Sequence, residues 1–230
     1  MTATAEVAGL RTQTKAFYFN SSAHLLRITA FKADTLNEFL ADLKACPEDS
    51  IFQHTFRTLQ EHHFIREGFS NDFAQWILTD CNQPALAEQL ASVDVRDFTS
   101  IRDLREQFVE LVGEHLESYP ADADQPARKT FYFCASDIVV IPTKFVARTL
   151  AEFAHGLKSV SIHSIHHHFI EARLRLQLLS NDFSEWLRQG LGLEDAAHAI
   201  NQIDIYSVTL EDVRRQIILI LEREGRESRS

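Results

Sequence analysis

Four histidines within six positions, His163, His166, His167 and His168, are the densest group of metal-ligating side chains in the sequence. On a helix, His163 lies three and four residues from His166 and His167, so the three rings crowd one side of the helix. Adding Glu171 gives His163, His167 and Glu171, a set of neutral imidazoles and a carboxylate suited to zinc or iron. Nothing in the sequence requires a cofactor, and zinc or iron is what this set would take. Asp, Asn and Trp recur in a second pattern. Ser70-Asn71-Asp72-Phe73-x-x-Trp76 returns as Ser180-Asn181-Asp182-Phe183-x-x-Trp186. With His54 and His168, the residues Asn71, Asn181, Trp76 and Trp186 make a candidate ligand-binding set. The simpler reading makes the Asn or Asp residues helix caps, the Trp residues core anchors, and the histidines buried hydrogen-bonding groups.

These groups are positioned by a repeat. Lys15-Ala-Phe17-Tyr18-Phe19 returns as Lys129-Thr-Phe131-Tyr132-Phe133, 114 positions later. The same offset pairs Thr29 with Thr143, Phe31 with Phe145, and Thr35-Leu36-x-Glu38-Phe39 with Thr149-Leu150-x-Glu152-Phe153. It also pairs Ser50-Ile51-x-x-His54 with Ser164-Ile165-x-x-His168. Four extra residues near Arg66 to Phe69 shift the offset to 110 further on. The sequence thus reads as a tandem duplication, with a tail over 1–14, repeats over 15–118 and 129–225, a proline-containing linker over 119–128, and a tail over 226–230. His166 and His167 align with Phe52 and Gln53, so the histidine run belongs to one copy alone.

Each repeat is expected to be mainly helical, about five helices, in an all-α, pseudo-twofold arrangement. Thr35-x-x-Glu38 and Thr149-x-x-Glu152 are capping boxes, and Asp72-x-x-Gln75 and Asp182-x-x-Glu185 repeat that logic with an Asp cap. Ser100 and Thr209 open a last helix. Its apolar stripe is Ile101, Leu104, Phe108 and Leu111 in one copy, and Leu210, Val213, Ile217 and Ile220 in the other. Another helix should start near Ser50 and Ser164 and run to about Ile65 and Leu179. The Phe-Tyr-Phe segments lack a helical period and are β-prone, so at most a minor two-stranded element is expected.

The block Thr130-Phe-Tyr-Phe-Cys134, Ile141-Pro-Thr143, Ser164-Ile165-x-x-His168-Phe169, Glu171-Ala-Arg-Leu-Arg-Leu176 and Ser180-Asn-Asp-Phe183-x-x-Trp186-Leu187 resembles DUF5752, a family of unknown function. The resemblance covers both copies, from about 16 to 220. It implies no activity. Where the family pattern places aromatics before the histidine, this chain has His166 and His167.

Composition narrows the function classes. The net charge is −10, which gives no general attraction to phosphate backbones or anionic membranes, and no apolar run reaches the length of a membrane helix. Phe outnumbers Tyr and Trp, 17 to 4 and 2, which points to core packing more than to a binding surface. Cys46, Cys81 and Cys134 form no close pair, as expected of reduced thiols in the cytoplasm. Phosphate loops, dinucleotide fingerprints and nucleophile elbows are absent from the sequence. The expectation is a cytoplasmic helical module that binds a protein or small ligand. The alternative is a histidine-based metalloprotein or acid–base enzyme around His54 and His168.

Overall fold

The computed structural model describes residues 15–57, 71–173, 179–206 and 208–227. Two strands, β1 (Phe17–Ala33) and β2 (Phe131–Ala147), form an antiparallel ribbon. Ten α-helices flank it among the described residues. Those of the first half are α1 (Leu36–Ala45), α2 (Glu48–Phe52), α3 (Asp72–Thr79), α4 (Pro84–Ala91) and α5 (Ile101–Ser118). Those of the second half are α6 (Leu150–Ser159), α7 (Ile162–His166), α8 (Asp182–Leu191), α9 (Glu194–Asn201) and α10 (Leu210–Glu227). The mainly helical expectation is met, with a two-stranded sheet added.

The sheet has only two strands, but each is 17 residues long. The Phe-Tyr-Phe motif starts each strand, with Phe17, Phe19, Phe131 and Phe133 buried and Tyr18 and Tyr132 exposed, a period of two. In β2 the run Ile138-Val139-Val140-Ile141 extends the strand well past that motif, because β-branched residues suit the pleated backbone. Pairing is unbroken from Asn20↔Pro142 to Ile28↔Cys134, with irregularities between Tyr18 and Asn20 and between Ile28 and Lys32. In the middle His24 pairs with Ile138, the residue 114 positions after it. Exchanging every residue of the ribbon for its counterpart at that offset returns the same pairing.

Each strand packs against the helices of the other half. The Phe131 ring lies 5.5 Å from Phe39, 5.6 Å from Phe73 and 5.5 Å from Trp76, all on first-half helices. Phe17 lies 5.1 Å from Phe153, 5.6 Å from Phe183 and 5.8 Å from Trp186, all on second-half helices. Hydrogen bonds repeat the exchange. The Trp76 indole donates to the Lys129 carbonyl at 2.7 Å, and Trp186 to Lys15 at 2.6 Å. Ser50 donates to the Cys134 carbonyl at 2.8 Å, and Ser164 to Asn20 at 2.6 Å.

The helix starts follow local chemistry. Thr149 and Glu152 form a complete capping box. Thr35 accepts from the Glu38 N–H, while the Glu38 carboxylate takes the N–H of Asp34, one residue before the cap. The caps of α3 and α8 are Asn71 and Asn181, not Asp72 and Asp182. The Asn amide oxygens accept from Ala74 and Ser184, which leaves the Asp residues in the first turn to serve other groups. Ser100 and Thr209 cap α5 and α10 as expected. On α10 the buried stripe ends at Leu221 rather than Ile220.

The helices opening near Ser50 and Ser164 widen into π turns, Gln53–Arg57 and His167–Glu171. The proposed insertion near Arg66 to Phe69 and the expected end at Ile65 lie outside the described residues. The segment between the halves is strapped down: Ala123 and Asp34 carbonyls pair with the Asn37 and Ala127 N–H groups, and Asp80 accepts from Arg128.

Candidate functional site

Both π turns aim a histidine at a strand. His168 Nε2 accepts the Asn20 N–H at 2.8 Å, and its Nδ1 meets Asp182 at 2.6 Å. His54 Nε2 accepts the Cys134 N–H at 2.9 Å, and its Nδ1 meets Asp72 at 2.8 Å. A ring that accepts at Nε2 must carry its proton at Nδ1, so each imidazole is fully satisfied as one neutral tautomer. The two histidines lie against opposite strands.

The other candidate ligand-binding residues are also engaged within the chain. Asn71 and Asn181 are buried caps, and their amide groups donate to the Leu90 carbonyl and to Asn201. Trp76 and Trp186 stack on Phe39 and Phe153 at 5.2 and 4.8 Å while their indoles hold Lys129 and Lys15.

A different constellation surrounds Glu171. Its Oε1 lies 2.7 Å from His24 Nε2, 2.9 Å from His166 Nδ1 and 2.9 Å from Ser22 Oγ. Its Oε2 lies 2.9 Å from His167 Nδ1. The carboxylate, His166 and His167 are all buried. Burial pushes the carboxyl up, but the hydrogen bonds from His166, His167 and His24 outweigh it and hold the group well below the usual carboxylate range. Of the expected metal set, His167 and Glu171 come together. His163 is exposed on α7, and the structure puts His24 and His166 beside the carboxylate instead.

The reason is local. The π turn adds a residue to the helical circuit, so spacing by three and four no longer predicts which rings face inward. Two of the donors, His166 and His167, come from this helical segment, and the ribbon contributes His24 and Ser22.

His24 stacks on Phe52 at 6.0 Å on one side and meets His166 edge-on at 6.0 Å on the other. Phe52 and His166 are themselves counterparts at the 114-residue offset. Beside this group lies a cleft of about 300 Å³ lined by Phe52, Ile101, Ile138, Val140, His167 and Glu171, with Glu48 and Asp49 at its edge. Matched residues such as Asn71 and Asn181 serve as caps, whereas the unmatched His24 and His166 meet at the middle of the ribbon.

Comparison with known proteins agrees with the ribbon-and-helix framework. The family model described as "Family of unknown function (DUF5752)" matches residues 14–222, nearly the whole chain. The chain belongs to this family. The DUF5752 chain is also similar to OrfY from Thermoproteus tenax, with a TM-score of 0.80 and 27% identity over 92% of this chain and 97% of that one. No curated protein matches.

Besides the Ser22 hydroxyl, His24 is the member of the Glu171 group that sequence reasoning missed in this DUF5752 chain. It stands alone in a segment without helical period, 142 positions from His166. Its available signal is the 114-residue offset: it falls opposite Ile138, as His166 falls opposite Phe52, so both are histidines where the other half is apolar.

Proposed function

We propose that this protein is a non-catalytic binding module whose partner is another polypeptide, docked along the ribbon. One observation carries the reading. Seven large apolar residues at the centre of the ribbon are exposed: Leu25, Leu26, Ile28 and the run Ile138 to Ile141, from 43% to 74%. Through the unbroken register, Leu25, Val139 and Ile141 share one face with Ala23, and the Arg27–Asp137 ion pair lies beside them. Both strands are edges, and an edge offers outer N–H and C=O groups for pairing, those of Asn20 and Cys134 being taken by His168, Ser164, His54 and Ser50. Contiguous apolar surface of this kind commonly marks a contact site, and an edge strand adds main-chain hydrogen bonds to it.

Peptide selection against the full chain tests this. Extended peptides with alternating apolar residues should be enriched. They should bind at least about tenfold more weakly, a loss of about 1.4 kcal/mol, to the Leu25→Lys, Val139→Lys double variant, which should melt at the parent temperature. Selected peptides that bind parent and variant alike would overturn the reading. Light scattering of the parent separates a second copy from a foreign partner.

Two further readings accompany it. We infer that the halves arose by tandem duplication into pseudo-twofold repeats over 15–118 and 129–225. The matched hydrogen bonds of His54 and His168, Trp76 and Trp186, and Ser50 and Ser164 support this. We also infer a cytoplasmic setting, supported by three unpaired cysteines. No helix among the described residues is long and apolar enough to cross a membrane.

A further inference from the structure

We propose that His24 Nε2, His166 Nδ1 and Glu171 Oε1 bind one divalent transition-metal ion of the Zn²⁺ or Fe²⁺ class. The proposal does not rest on the docking surface. The three donor atoms lie within 4.8 Å of one another. The observed separations from the carboxylate oxygen are 2.7 and 2.9 Å. Tetrahedral bonds of about 2.0–2.1 Å would separate donors by about 3.3 Å, so the rings would shift by a few tenths of an ångström or more to seat an ion. Two imidazoles and a carboxylate form a set that Fe²⁺ and Zn²⁺ both accept.

The contacts of His166 accord with this. His166 faces an acceptor at each nitrogen, Glu171 at Nδ1 and the Phe56 carbonyl at Nε2, the latter at 3.4 Å. A neutral imidazole has one N–H and an imidazolium two, so without a cation the ring is either charged against Glu171 or short of one proton. A cation at Nδ1 removes the conflict, because the ring then keeps its proton on Nε2 for Phe56. Glu171 Oε1 is also crowded, with three partners within 2.9 Å. An ion would gather two of them and leave Ser22 as the hydrogen-bond donor. His54 and His168 carry no such conflict.

The outer contacts fit as well. His24 Nδ1 lies 3.1 Å from Ser136 Oγ, and His167 steadies the other carboxylate oxygen at 2.9 Å. Partners of this kind orient metal ligands. His24 belongs to the first half and the other two ligands to the second, so the ion would tie the ribbon to the π turn.

The repeat supplies variants that should fold. His24→Ile and His166→Phe each install the residue found at the counterpart position, and His163→Ala alters an exposed histidine instead. The full chain, stripped with chelator, is titrated with Co²⁺ followed by visible absorption and with Zn²⁺ against a chromophoric chelator. One equivalent should bind with micromolar or tighter affinity. His24→Ile and His166→Phe should each weaken it at least about 100-fold, and His167→Gln, a positioning variant, about 10- to 100-fold. His163→Ala should change nothing. Circular dichroism checks folding. If a ligand variant does not fold, the ring-proton shifts that Co²⁺ induces in the parent decide, and they should be largest for His24 and His166. The proposal is overturned if the folded parent binds no ion, if both ligand variants bind like the parent, if His163→Ala abolishes binding, or if the largest shifts fall on other histidines.

Discussion

The His168 imidazole accepts the backbone N–H of Asn20 across the boundary between the halves, 2.8 Å away. His54 does the same for Cys134 at 2.9 Å. Each ring is thus a clamp that fixes one strand on the helices of the opposite half.

Removing a clamp should cost stability. His168→Ala strands the Asn20 N–H and takes the donor from Asp182, each loss costing about 1–3 kcal/mol. His54→Ala should behave alike. Urea unfolding measures the loss, and hydrogen exchange should show the Asn20 amide less protected in His168→Ala alone. Equal protection in parent and variant would remove the clamp role.

Gly156 should not tolerate a methyl group. A Cβ built there would lie 2.4 Å from the edge of the Phe19 ring, which is itself buried against Phe17 and Phe153. Gly156→Ala should destabilise by about 1–3 kcal/mol through overpacking. Combining it with Phe19→Leu should give less than the sum of the two single losses. Strict additivity in a thermal double-mutant cycle would contradict this contact.

Separate halves should not fold. Residues 1–118 alone lack Phe131 and Phe133, and residues 129–230 alone lack Phe17 and Phe19. Filling such a core position is worth about 3–5 kcal/mol per Phe. Each half should melt without cooperativity, and mixing the two should restore a single transition. A half that melts cooperatively by itself would count against the exchanged packing.

Alkaline pH should weaken the fold. Burial pushes the Cys46 thiol up to about 11 and the Cys81 thiol up to about 12. A raised folded value stabilises below the unfolded value and loses that contribution as pH rises. Stability should therefore fall from about pH 8.5, the ordinary thiol value, upward. Cys46→Ala, Cys81→Ala should flatten that slope, and in the parent both thiols should react with iodoacetamide far more slowly than after unfolding.

Much of the scaffold was legible because it is written in local chemistry. Thr149 with Glu152, and Ser100 with Asp103, announce helix starts by residue type and spacing alone. Phe-Tyr-Phe announced a β-prone segment for the same reason. The length of the ribbon was harder to read, since Leu25, Leu26 and Ile28 look like core residues until the fold leaves them outside. The role of Asp72 and Asp182 was hidden because Asn and Asp both cap helices, and only the fold brings a histidine to the second of each pair. The Glu171 group was half legible: His167 and Glu171 are four apart on one turn, but choosing His166 over His163 required the π turn, and His24 required the ribbon.

The exchange of strands also sets an order of events during synthesis. Phe39, Phe73 and Trp76 leave the ribosome long before Phe131 and Phe133, which complete their core. Phe17 and Phe19 are made first yet must wait for Phe153, Phe183 and Trp186. The chain therefore has high contact order, with loop closure required before its aromatic contacts contribute. Its first hundred residues would emerge with an open, Phe-rich surface of the kind that recruits chaperones or aggregates. The strap from Pro120 to Lys129, held to Asn37, Asp34 and Asp80, then delivers β2 to the waiting helices, which makes the linker a guide for late assembly.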